Sequence, residues 1–156
     1  MDVYVWVPQR RPGTVTAFVD RYVDRANPSD ERLAAFIRAY GGGTADDADR
    51  SALDELRRDA SDPGLSLYLK ARGYYHAIMT VTGEGALVLG LSIDDPDGSA
   101  AVAAQARALL DALREEFDAP AGRAGVELEP AHSRQEWDDE ATVLFRSGAI
   151  ADGTSG

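Results

Sequence analysis

From residue 65 to residue 93 the chain keeps apolar residues at every second position for most of its length. In "LSLYLKAR", Leu65, Leu67, Leu69 and Ala71 take one side, and Ser66, Tyr68, Lys70 and Arg72 the other. "ALVLGLSID" repeats the pattern: Leu87, Leu89, Leu91 and Ile93 oppose the small residues Ala86, Val88, Gly90 and Ser92. Successive side chains of a strand point to opposite faces, so each run reads as a strand with one buried side. Between them "YYHAIMTVT" is rich in aromatic and β-branched residues, which suit a pleated surface. Gly73 marks a break or bulge ahead of it, and Gly83-Glu84-Gly85 is a hairpin loop. Strands joined this tightly form an antiparallel meander. Its leucine-lined face has to be covered by the rest of the chain.

The cover is legible as helices. "TVTAFVDRYVDRA" places Val15, Phe18, Val19, Tyr22 and Val23 on one helical face. Thr14 is its expected N-cap, and Asn27-Pro28 its expected end, because a residue before proline avoids the helical region. "SDERLAAFIRAYGGG" follows, capped by Ser29, with Asp30 and Glu31 at the positive end of its dipole and Gly41 as a left-handed stop. "DRSALDELRRDA" is a third, shorter surface helix with Ser51 and Asp54 at capping-box spacing. The strongest helix runs from Ser99 to Phe117, where Val102, Ala106, Leu109, Leu113 and Phe117 recur at spacings of three and four.

Two more strands frame these elements. "DVYVWVP" alternates Val3, Val5 and Val7 with Tyr4 and Trp6 until Pro8 ends it. "AGVELEP", residues 124–130, points Val126 and Leu128 inward and Glu127 and Glu129 outward. Beyond Pro130, Ser133 and Glu136 again have capping-box spacing, and "ATVLFRS" favours a strand. The order predicts an α+β fold: a two-layer sandwich with a mostly antiparallel sheet and helices on one face. Stripped of extra helices in the first crossover, it is the βαββαβ, ferredoxin-like order. Residues 1–150 read as one domain, and 151–156, lacking any core-forming residue, as a mobile tail.

Composition narrows the partners. The formal net charge is −11, and Lys70 is the single lysine among 16 basic residues. Such a surface repels phosphate backbones and attracts basic proteins, so nucleic acid is not expected. No apolar run approaches the roughly 20 residues of a membrane helix. An acidic residue precedes the first apolar run and arginines follow it, the reverse of a secretory signal, which points to the cytoplasm. There is no cysteine, hence neither disulfide nor thiolate chemistry.

If helices cover only the valine and leucine side, the opposite face carries Tyr4, Trp6, Tyr68, Lys70, Arg72, Tyr74 and His76. Rings that combine contact area with a polar handle suit a protein interface. This face is the expected protein-binding site, for a basic partner or for a second copy of the chain. The competing arrangement folds an extra helix, or the segment around Trp137, across the rings and buries them.

Chemistry-bearing motifs are sparse. His76 would need Glu84 or Asp94 beside it to act as a base. His132 reads as a loop residue, and two isolated histidines make no zinc motif. Asp94, Asp95 and Asp97 lack calcium-loop spacing and more simply cap a helix. "GGGT" lacks the lysine of a phosphate loop. Ser51, Ser66, Ser92 and Ser133 lack the Gly-x-Ser-x-Gly context. Glu127 and Glu129 share a strand face without the divergent environments of an acid–base pair. The sequence therefore points to a non-catalytic, acidic protein-binding domain without metal or cofactor, of the kind that masks a basic toxin as an immunity protein or inhibitor does. The alternatives are a regulatory domain that binds a small metabolite in the space near His76 and Tyr74, and a small enzyme using His76.

Overall fold

A computed structural model describes residues 1–8, 11–24, 31–94 and 99–150. The expected signals at Asn27-Pro28, Ser29, Asp30, Asp95, Asp97 and the tail lie outside these residues. The fold is α+β. Among the described residues six strands form one antiparallel sheet: β1 (Asp2–Val7), β2 (Leu65–Lys70), β3 (His76–Val81), β4 (Leu87–Ser92), β5 (Ala121–Gly125) and β6 (Phe145–Gly148). Their spatial order is β2-β3-β4-β1-β5-β6. The meander read from the leucines is present as β2-β3-β4, with Leu65 opposite Val81 and Met79 opposite Leu89.

One face is covered, among the described residues, by four helices: α1 (Pro12–Tyr22), α2 (Glu31–Ile37), α3 (Asp47–Asp54) and α4 (Ala100–Glu116). Val3, Val5 and Val7 meet Leu67, Leu87, Leu89 and Leu91 there, under Phe18, Phe36, Leu110 and Leu113. This main core has the two-layer arrangement expected of the alternating strands. α4 is the helix expected, with the Ser99 hydroxyl accepting from Val102 N–H and Phe117 as its C-cap.

Helix boundaries differ where tertiary packing outweighs local signals. α1 begins at Pro12, whose missing N–H costs nothing in the first turn, so Thr14 is not its cap. It ends at Tyr22, because Val23 leaves the helix to bridge Ala71 at the end of β2. α2 runs into a π-helical turn, Arg38–Gly42, and the left-handed stop is Gly43, at φ 69°, rather than Gly41. α3 is capped by a reciprocal Asp46–Asp49 pair, ahead of the expected Ser51. Asp49 is also clamped by Arg38 through two charge-assisted bonds of 2.7 and 2.5 Å, which favour the earlier start.

The expected strand at residues 124–130 is displaced. β5 is "AGRAG", with small residues where the packing is closest. A Cβ at Gly122 would run into the Leu110 side chain, and one at Gly125 would come within 2.8 Å of Thr142 O. The strand ends as Glu127 turns to φ 49°. That turn leaves Val126 half-exposed and swings Leu128 onto the second face of the sheet. Ser133 does cap a short helix, α5 (Arg134–Asp139), and accepts from Glu136 N–H.

Candidate functional site

The second face of the sheet is where Tyr4 and Trp6 lie, and the chain closes over it. Leu128, Ala131 and Trp137 pack onto Tyr4, Trp6, Ile78 and Val88, leaving the two rings of β1 only 1% and 3% exposed. Trp6 and Trp137 meet edge to face, with centroids 5.5 Å apart. The Tyr4 hydroxyl donates to Leu128 O at 2.6 Å. The expectation that helices shield one face alone is thereby corrected for these residues. Free of solvent on both sides, β1 is a central strand, and its aromatics are core. The competing arrangement, with the Trp137 segment folded across, is the one observed.

The other expected binding residues separate. Tyr68 stays 51% exposed, and Lys70 and Arg72 are also open to solvent. Tyr74 belongs to the helix side, where its ring meets Tyr22 at 6.1 Å. Gly73, at φ 76°, reverses the expected facing there. The neighbouring Tyr75 is exposed, and its ring lies 4.4 Å from that of the half-buried His76, centre to centre. Glu84 lies beyond the far end of β3 from His76 and accepts from Arg134 N–H at 3.0 Å. The room expected on the small-residue side of β4 is filled: a Cβ at Gly90 would fall on the Tyr4 ring.

Arg123 is the largest fully buried side chain, at 1% exposure. Alternation along β5 aims it under α5, opposite Tyr4 in the register. Its guanidinium donates to Glu136 O, Trp137 O and Glu129 O at 3.1 to 3.3 Å and lies 4.7 Å from the Trp137 ring centre. Burial, followed by the charge of Arg146, pulls its pKa down to about 10. It therefore remains a cation at neutral pH, held by carbonyl dipoles and an aromatic face.

A polar chain crosses from the same segment to the edge of the sheet. His132 Nδ1 lies 2.9 and 3.0 Å from the two Asp62 carboxylate oxygens, and both side chains are 3% exposed. His132 Nε2 lies 2.6 Å from Ser66 Oγ on β2, which in turn lies 2.6 Å from Thr80 Oγ1 on β3. Ser66 and Thr80 are directly opposed, so the sheet register itself brings the hydroxyls together. Burial works to raise the Asp62 carboxyl. Hydrogen bonds from Gly64 N–H, His132 and Arg58 N–H outweigh it and hold the group below its ordinary value. Glu136 is likewise lowered: burial opposes, but Arg58 at 2.7 Å and the His132 N–H prevail.

Sequence reading missed this chain because its members lie far apart, at 62, 66, 80 and 132. One local sign was present. Gly64 is required where the turn passes His132, since a Cβ would sit 2.8 Å from both its Cβ and its carbonyl oxygen.

Clefts occur elsewhere. One of about 730 Å³ lies between the start of α1 and the end of α4, lined by Val7, Arg11, Thr14, Arg114, Phe117 and Asp118. Another, of about 320 Å³, is bounded by Tyr74, Tyr75, Ile93, Asp94 and Gln105. Among the described residues no cluster of three or more histidine or carboxylate side chains is placed to hold a metal ion. None of their helices is long and apolar enough to cross a membrane.

No protein-family model, curated protein or solved structure matches this chain. Its function has to be read from its own residues.

Proposed function

We propose that this chain is a cytoplasmic docking domain for a basic protein, an inhibitor of the immunity-protein kind, and that its partner seats on β2 at Tyr68. The carrying observation is the setting of Tyr68. It is half-exposed on an edge strand, and after burial the charges of Glu129 and Asp2 raise its hydroxyl pKa against the opposing, smaller effect of Arg58. An aromatic ring beside carboxylates offers contact area together with attraction for cationic side chains. Lys70 and Arg72 sit further along the strand, so the acidic end at Tyr68 and Glu129 is where a basic segment is favoured. The net charge of −11 would steer that encounter from a distance.

The edge itself supports docking. Lys70 O accepts from Asp24 N–H, and Arg72 N–H donates to Tyr22 O, on the side away from β3. N–H and C=O of one residue point the same way in an antiparallel ladder, and alternate residues share that direction. Ser66 and Tyr68 therefore aim their backbone groups off the same edge, and no described backbone segment pairs with them. An extended segment of the partner could add there as a strand.

The core order β3-β4-β1-β5, with α1 to α3 before β3 and α4 before β5, supports reading the sheet as a ferredoxin-like βαββαβ plan. On that reading β2 and β6 are added edges, and α2 and α3 are insertions in the first crossover.

A photo-crosslinking amino acid in place of Tyr68, expressed in the native host, would capture the partner. The expected partner is a basic protein whose association slows steeply as salt is raised. Tyr68→Ala and Glu129→Lys should each weaken binding by about tenfold or more. They should change stability by no more than about 0.5 kcal/mol, since both residues are exposed. An acidic partner, or affinity untouched by both variants, would overturn the proposal.

A further inference from the structure

We propose that Ser66 is an activated nucleophile, raised by His132 and Asp62, that accepts small acyl groups from carboxylic esters. This inference does not rest on protein docking, and a partner strand paired at this edge would compete with it for the Ser66 N–H. It rests on the direction of the hydrogen-bond chain. The Asp62 carboxylate is ionised and can only accept, so His132 Nδ1 carries the proton. In the neutral ring Nε2 is then an acceptor, and the Ser66 hydroxyl is the donor at 2.6 Å. The Thr80 hydroxyl consequently donates to Ser66 Oγ. Each proton is placed as acyl transfer to a serine requires.

Exposure follows the same direction. Asp62 and His132 are buried in the turn that Gly64 allows, while Ser66 is half-buried on the edge strand. The residue meant to react is the one in contact with solvent. Asp62 is a positioning residue: it receives Gly64 N–H at 3.0 Å and Arg58 N–H at 3.2 Å, which fixes both its charge and its orientation. A polar tie between segments would be served equally well by any tautomer and any exposure. This one runs from a fixed, buried carboxylate to a half-buried serine.

The step balances without a co-reactant beyond water. Ser66 Oγ attacks the ester carbonyl carbon as its proton passes to Nε2. The carbonyl becomes an oxyanion, for which the Ser66 N–H at the free edge is a donor. The bond to the alcohol oxygen then breaks, and that oxygen takes the proton from Nε2. Water, deprotonated by Nε2, attacks the acyl-serine and releases the carboxylic acid and Ser66. Ser66 lies on the edge strand and lines neither the cleft at α1 nor that at Tyr74.

A fluorophosphonate probe followed by intact-mass and peptide mapping tests the assignment, with p-nitrophenyl acetate as the turnover substrate. One adduct at Ser66 is expected in the native chain and none in Ser66→Ala. Labelling in Asp62→Asn should be slower by about a hundredfold or more. Circular dichroism checks each variant. If Asp62→Asn does not fold, Ser66→Cys, with iodoacetamide as probe, replaces it and should show a thiol alkylated faster than a free cysteine. A folded native chain that gains no adduct at Ser66, a labelling rate unchanged in folded Asp62→Asn, or a Ser66→Cys variant alkylated no faster than free cysteine overturns the inference.

Discussion

The ring of Tyr4 occupies the space that a side chain at Gly90 would need. The two residues are register partners across β1 and β4, and the ring takes the place of the missing Cβ. Gly90→Ala should therefore destabilise the fold by about 1–3 kcal/mol, the usual cost of overpacking a core. Tyr4→Leu removes the obstructing ring and also the hydroxyl bonded to Leu128 O. Urea denaturation of both single variants and the double variant should show coupling of at least about 0.5 kcal/mol, with Gly90→Ala less harmful beside Leu at position 4. Strict additivity would mean that the ring is free to move aside.

Trp137 is the keystone of the second face. Trp137→Ala should cost about 3–5 kcal/mol through lost burial and the lost edge-to-face contact with Trp6. Trp6 would become the one remaining tryptophan of the chain, and its emission should shift to the red as water reaches it. An unshifted spectrum would show that residues 126–143 do not depend on the indole to cover β1.

Arg123→Lys preserves charge but not shape. A lysine cannot present a planar fork to Glu129 O, Glu136 O and Trp137 O, or stack on the Trp137 ring in the same way. The change should lower stability by about 1–3 kcal/mol, because buried carbonyls lose their donors. Thermal melts of the native and Lys variants are the check. Equal melting temperatures would mean that these carbonyls find other partners.

Acid should weaken the fold through Asp62 and Glu136. Both carboxyls titrate below their ordinary values in the folded chain, as do Asp49, Asp59 and Glu140. The folded state thus binds fewer protons than the unfolded one near pH 4. The stability they contribute is complete above the unfolded pKa values, about 4, and is lost as pH falls through the lower folded ones. Urea midpoints should be nearly level from about pH 7 to about pH 5 and drop below about pH 4. Asp62→Asn with Glu136→Gln should flatten that drop while lowering stability at neutral pH.

The sequence by itself determined the elements whose periodicity is strong: β1, the meander β2-β3-β4 and α4, together with the valine and leucine face that meets the helices. Hydrophobic alternation is local physics, and a slip of one residue would turn every leucine to water. The Ser133 cap belongs here too, since its partner, Glu136, is three residues away. Tertiary structure decided the rest. "AGRAG" is a strand because it pairs with β1 and β6, and Leu110 and Thr142 leave no room for a side chain at Gly122 and Gly125, constraints set by distant parts of the chain. Tyr4 and Trp6 look like half of an amphipathic strand until Trp137, more than a hundred residues later, closes over them. Asp62, Ser66, Thr80 and His132 become one hydrogen-bond chain only when β2 pairs with β3 and the segment after β5 folds back across them. Periodicity records which way a side chain points; only the fold decides what it meets, because burial and hydrogen bonding join atoms that the sequence holds far apart.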